Sequence, residues 1–120
     1  MAAVASSVAA LRSALSETFV GRELIFVFAA MRDKAVQEIA DVLFPIAAQV
    51  VLTQVNHPRA ATTDELRQAG ARSGATLYAE ENVAAALARA RTLSSPDTII
   101  VVTGSIYLVG EVMSALGLPG

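Results

Sequence analysis

The chain has no cysteine and no tryptophan, and among its 120 residues there is one histidine, His57, and one lysine, Lys34. Without cysteine there is no disulfide, no thiolate nucleophile and no cysteine-based metal site. One imidazole cannot pair with another around a metal, and any task that needs an ammonium group falls to Lys34. Cationic excess is missing as well. Nine Lys and Arg stand against eleven Asp and Glu, a net charge of −2, which does not suit a general nucleic-acid binder. Long apolar runs are also lacking. The longest, Leu24 to Met31, has eight residues, well short of the ~18 that a membrane span needs. The stretch from Val4 to Leu15 is too broken by Ser and Arg for a secretory leader. The default expectation is a cytoplasmic chain with no membrane and no nucleic-acid partner.

What the chain has is apolar residues, 54% against 17% charged, with a mean hydropathy of +0.54. That excludes a disordered chain and suits one core-rich domain. Val4, Val8, Leu11, Leu15 and Phe19 recur every three or four residues and form one helical stripe. Ser6, Arg12, Ser13 and Glu17 lie on its other face, and Gly21 stops it. Leu24 to Phe28 is a short continuous apolar run, the pattern of a strand buried on both faces of a parallel sheet. Asp33 stands as an N-cap before a second helix with Val36, Ile39, Ala40 and Leu43 inward, ended by Pro45. Val50 to Thr53 reads as the second strand. Thr62-Thr63-Asp64-Glu65 has the form of a capping box and opens a third helix that Gly74 closes. Ala75 to Tyr78 is the third strand. Asn82 caps a fourth helix, Val83 to Leu93, with Val83, Ala86, Leu87 and Ala90 inward. Thr98 to Thr103 reads as a fourth buried strand. A fifth helix from Ile106 to Leu116 has Val109, Val112, Met113 and Leu116 inward and Gly117 at its C′ position. This alternation predicts an α/β domain, Rossmann-like and three-layered, with a mostly parallel four-stranded sheet and helices on both faces. It begins, unusually, with a helix.

In such sheets ligands gather at the C-terminal ends of the strands. Thr103-Gly104-Ser105 ends a strand and starts a helix, where free amides and a hydroxyl favour an anion. Ser105 either only caps the helix or also meets a carboxylate or phosphate. Arg32 and Lys34 follow another strand end, with Asp33 between them, and suit a substrate carboxylate or phosphate; the alternative is a solvated helix start. Asn56-His57-Pro58-Arg59 is a third loop. Its Arg59 is the better binding candidate, because a guanidinium holds a carboxylate on two prongs, whereas His57 reads as a surface residue. Glu80 and Glu81 are charges near a helix start. No catalytic triad, carboxylate pair, metal cluster or Walker A loop can be assembled. The residues alone outline an anion-binding rim and assign no catalytic residue.

Three segments add to this. Phe26-Val27-Phe28-Ala29-Ala30-Met31-Arg32-Asp33-Lys34 resembles the F-V-F-G-A-M-x-D-K segment of folylpolyglutamate synthases, also called dihydrofolate synthases. Val51-Leu52-Thr53-Gln54 followed by Pro58-Arg59-Ala60 resembles their V-x-L-T…x-R-A. Val101-Val102-Thr103-Gly104-Ser105-Ile106-Tyr107-Leu108-Val109-Gly110-Glu111-Val112 resembles their V-x-T-G-S-L-Y-L-V-G-E-V and is the most specific of the three. The resemblance runs from about Ala2 to Leu116 and covers the family's C-terminal domain, the glutamate-ligase domain shared with the Mur ligases.

It implies an ATP-dependent ligase that joins glutamate to a folate carboxylate. In that family ATP phosphorylates the acceptor carboxylate, the glutamate amine attacks the acyl phosphate, and magnesium screens the phosphates. The phosphates sit mainly on a P-loop of an N-terminal ATPase domain. Carried over, Ser105 would help to hold the incoming glutamate, Lys34 or Arg32 would lie near a substrate carboxylate, and Arg59 would share that rim. The nucleotide-binding residues of this chain stay unassigned. Ala29 stands where the family usually has Gly. The family has a strand ending in D-G-A-H-N-P before the first helix, and Met1-Ala2-Ala3-Val4 stands where that motif would just have ended, so the strand is expected to be missing. The expectation is that residues 1–120 form a partial C-terminal domain without that strand and without the ATPase domain, inactive alone and binding neither ATP nor Mg2+ tightly. Self-association through an exposed sheet edge is expected too. The competing reading is a non-catalytic binding or dimerisation module that keeps the fold.

Overall fold

A computed structural model describes residues 8–118. The elements are α1 (Val8–Thr18), β1 (Leu24–Phe28), α2 (Val36–Leu43), a 3-10 turn at Phe44–Ile46, β2 (Gln49–Leu52), α3 (Thr63–Gly70), β3 (Thr76–Ala79), α4 (Val83–Leu93), β4 (Ile99–Thr103) and α5 (Ile106–Ala115). The four strands form one sheet in the order β3-β2-β1-β4, and every pairing is parallel. The expected α/β architecture is therefore present, with a sheet that is wholly parallel.

Strand alternation splits the core into two layers. Leu24, Phe26 and Phe28 of β1, with Val50 and Leu52 of β2, pack against Leu15 of α1, Ala40 and Leu43 of α2 and Leu66 of α3. Ile25, Val27 and Val51 point the other way, onto Val83, Ala86, Leu87 and Ala90 of α4 and Leu108 and Val112 of α5. β1 is buried along its whole length. Phe28 and Phe44 meet edge to face with ring centroids 5.1 Å apart.

Several local expectations need correction. Val4 and Ser6 lie outside the described residues. Asp33 does not cap α2. The chain leaving β1 forms an antiparallel bridge between Met31 and Ala60, and the helix is delayed until Val36, with Ala35 at the cap position and no side-chain cap. α3 ends at Gly70; Gly74 lies beyond it, in the turn to β3, with φ +81°. β4 is only half-buried throughout, because among the described residues it pairs with β1 alone. An apolar run cannot distinguish a central strand from an unprotected edge. On α5, Leu108 and Val112 face the core, while Val109 and Leu116 are 40% and 43% exposed. Both stripes are apolar and helically spaced, so periodicity alone does not choose between them.

The capping box forms as expected. The Glu65 amide donates to Thr62 Oγ1 at 3.1 Å, and the Thr62 amide donates to Glu65 Oε1 at 2.8 Å. Thr62→Ala should cost about 1 kcal/mol, read as a lower urea midpoint with an unchanged slope.

Candidate functional site

From β1 the chain moves outward through α2 to β2 and through α3 to β3; α4 then carries it back to the far side of β1 as β4. The direction of travel reverses between β1 and β4, so the crevice at their C-terminal ends is the topological switch point. Register brings those ends level, with Phe28 opposite both Leu52 and Thr103.

Gly104 makes the switch point tight. Its φ is +113°, and a Cβ there would fall on the Ala29 carbonyl oxygen, well inside contact distance, and 2.8 Å from the Phe28 ring. Ala29 is itself buried beside this turn. Ser105 follows as the N-cap of α5, its Oγ accepting the Tyr107 amide at 3.1 Å.

The loops after β1 and β2 are zipped together. The Arg32 amide donates to the Arg59 carbonyl at 2.7 Å, and the Ala61 amide donates to the Ala30 carbonyl at 2.9 Å. Arg59 pairs with Asp33 at 3.3 Å and Arg32 with Glu65 at 3.2 Å. Asp33, read as a helix cap, thus serves as the counter-ion of Arg59. Arg32, Lys34, Asp41 and Glu65 border an open cleft of about 600 Å3 between α2 and α3. A second open cleft, of about 780 Å3, lies between α4 and α5, bordered by Asn56, Asn82, Tyr107 and Glu111. On the wall of this second cleft, His57 packs against Tyr107, and the Asn56 amide donates to Glu111 Oε2 at 3.1 Å. At the next strand exit, buried Thr53 donates to the Glu80 carbonyl at 3.1 Å, and Glu80 pairs with Arg89 at 2.8 Å.

The fold brings Arg32, Lys34 and Arg59 to one rim and puts Ser105 at the exit of the strand beside β1. His57, Tyr107 and Glu111 were not singled out as site residues from sequence. An exposed aromatic in the first turn of a helix, with an acid four residues on, was the available signal. Among the described residues no three His, Asp or Glu side chains converge to hold a metal ion, and no helix is long and apolar enough to cross a membrane.

The amide of Thr62 and the guanidinium of Arg32 hold the Glu65 carboxyl below its ordinary value of 4.5. A carboxylate held low when folded stabilises the fold above its unfolded value and ceases to do so as pH falls through the folded one. Glu65→Gln should therefore lower Tm at neutral pH, and thermal melts in increasing acid should show the gap closing below pH 4.5.

The sequence profile of the family described as Mur ligase, glutamate ligase domain, matches residues 1–106. Among solved structures, the chain is similar to folylpolyglutamate synthase of Mycobacterium tuberculosis, solved with ADP and AMPPCP, at 31% identity over 93% of this chain with a TM-score of 0.85. It is also similar to E. coli FolC, solved with DHPP and ADP, at 18% identity over 92% of the chain and TM-score 0.84. A bifunctional folylpolyglutamate synthase/dihydrofolate synthase of Yersinia pestis, solved with AMPPNP and Mn, matches at 19% identity over 93% and TM-score 0.80. The last two likenesses speak for the fold alone. The chain spans 27%, 26% and 27% of the lengths of these three proteins. A search of curated proteins gives no match.

Proposed function

The chain belongs to the Mur ligase glutamate ligase domain family, and from that premise we propose that it is the glutamate-side domain of an ATP-dependent folate–glutamate ligase of the folylpolyglutamate synthase type. The observation that carries this reading is the switch point itself. Ser105, in the segment most like that family, opens α5 beside the strand exit that bears Arg32 and Lys34, with Arg59 on the loop zipped to it. The 31% identity to the mycobacterial enzyme supports the same reading.

In this reading Arg59 and Ser105 hold carboxylate oxygens of the incoming glutamate, and Arg32 or Lys34 lies toward a substrate carboxylate. Arg59 is available for that task. Its side chain is 68% exposed and its ion pair with Asp33 is on the surface, where such pairs contribute about 0–1 kcal/mol. A substrate carboxylate can replace Asp33 at little cost. ATP and Mg2+ are the co-substrate and metal of such ligases. The sequence has no Walker A loop and the described side chains build no metal site, so we assign the phosphates and metal to a partner N-terminal ATPase domain. A folate is the acceptor, and the cytoplasm is the setting.

Calorimetry of the chain with L-glutamate tests this. Binding should be weak but saturable, and Arg59→Ala or Ser105→Ala should weaken it about ten-fold, the value of one charge-assisted hydrogen bond. The chain alone, given ATP, Mg2+, dihydropteroate or tetrahydrofolate, and glutamate, should form no amide. Amide formation by the chain alone would contradict the division of labour. Absence of any glutamate binding would favour the non-catalytic module.

We also propose self-association through β4. Its half-buried edge and the exposed Val109 and Leu116 of α5 are what an edge-seeking partner pairs with. Sedimentation should show a concentration-dependent dimer that Val101→Lys disperses.

A further inference from the structure

We propose that His57 is a positioning residue, whose imidazole sets the direction of Arg59 and docks the 54–61 loop onto the first turn of α5. Its Nδ1 accepts the amide N–H of Arg59 at 3.1 Å. This is the bond from a side chain to the amide two residues on that Asn and Asp make in turns. An accepting Nδ1 leaves the proton on Nε2. On the other side of Arg59, its carbonyl accepts the Arg32 amide at 2.7 Å. Both backbone groups of Arg59 are thereby held, one by His57 and one by the loop after β1. Only the guanidinium stays adjustable, against Asp33.

The second half of the task belongs to the ring. It lies against Tyr107 with centroids 4.8 Å apart and planes inclined at 44°. Tyr107 is tied through its amide to Ser105 Oγ. One residue before His57, the Asn56 amide donates to Glu111 on the next turn of α5. The histidine thus spans the two halves of the rim, Arg59 on the loop and Ser105 at the head of α5. An apolar ring would keep the packing without the acceptor, and a short amide would keep the acceptor without the packing. That separates a positioning role from a merely structural one.

The effect on glutamate rests on the function proposed above; the effect on Arg59 does not. The test uses the full 15N-labelled chain and its His57→Phe and His57→Asn variants. In the wild type, long-range 1H–15N spectra should show the Nε2–H tautomer. His57→Phe should speed exchange of the Arg59 amide about ten-fold and weaken L-glutamate binding about five-fold, with Tm lowered by no more than about 5 °C, consistent with one lost hydrogen bond on the surface. His57→Asn should retain the Arg59 protection and bind glutamate within about two-fold of wild type, while losing the ring-current shift of Tyr107. The proposal is overturned if His57→Phe leaves the Arg59 amide as protected as in the wild type, or if both variants lose protection and Tm together. Should the wild type not bind glutamate, the functional reading falls, and Arg59 exchange still decides the role of His57.

Discussion

Gly104→Ala should destabilise the fold by about 3 kcal/mol or more, enough to rank among the most damaging single substitutions. Two costs combine. A φ of +113° is strained for any residue with a Cβ, by about 1–3 kcal/mol. The added methyl would also strike the Ala29 carbonyl, which is backbone, and the Phe28 ring at 2.8 Å. Neither neighbour can yield cheaply. Ala29 directly follows the inner strand β1, and Phe28 is fully buried in an edge-to-face pair with Phe44. Relief requires parting β1 from β4 at the switch point, which would displace Ser105 as well. Urea melts measure the loss, and the glutamate affinity of the fraction still folded measures the displacement. A loss below 1 kcal/mol would mean that the close approach at Gly104 is not as described.

Phe44→Ala should cost about 3–5 kcal/mol, the range for deleting a buried aromatic side chain. Phe44 is fully buried in the layer beneath α2 and α3, although it lies on a 3-10 turn next to exposed Pro45. It meets Phe28 edge to face, a geometry that adds about 0.5–1.5 kcal/mol beyond area. It also fills the space over Gly70, where a Cβ would lie 2.6 Å from its ring. Gly70→Ala alone should therefore overpack the site and cost about 1–3 kcal/mol. In the Phe44→Leu background the same change should cost clearly less, and a double-mutant cycle should return a coupling of about 1 kcal/mol or more. Additive effects would show that Gly70 and Phe44 do not share that space.

These two sites mark what sequence patterns carry. The order of elements was legible because each helix has an apolar stripe and each strand a short apolar run, and because the Thr62 and Asn82 caps bond as their spacing implies. The rim residues were legible because topology places strand exits together whatever the details of the loops. The face of α5 was not, since Val109-Met113-Leu116 and Leu108-Val112 are both apolar and only packing against α4 and β4 selects one. Neither was the edge position of β4, whose residues are as apolar as those of the buried β1. Asp33 misled because its spacing fits a cap, whereas the long-range bridge of Met31 with Ala60 delays the helix and turns Asp33 toward Arg59. Contacts of that kind join residues far apart in the chain and leave no local pattern. The union of His57 with Tyr107 is of the same sort, fifty positions apart in sequence and adjacent in space.

If the C-terminal ends of β1, β2 and β4 form the amino-acid side of a ligase cleft, as proposed, L-glutamate must bind there. The decisive experiment is an amide NMR titration of the 15N-labelled chain with L-glutamate at millimolar concentrations. Saturable shifts should concentrate at Arg32, Lys34, Arg59, Ser105 and Tyr107, and should be reduced in Arg59→Ala. Absence of shifts, or shifts confined to the opposite end of the sheet around Glu23, Ala48 and Asp97, would contradict that placement.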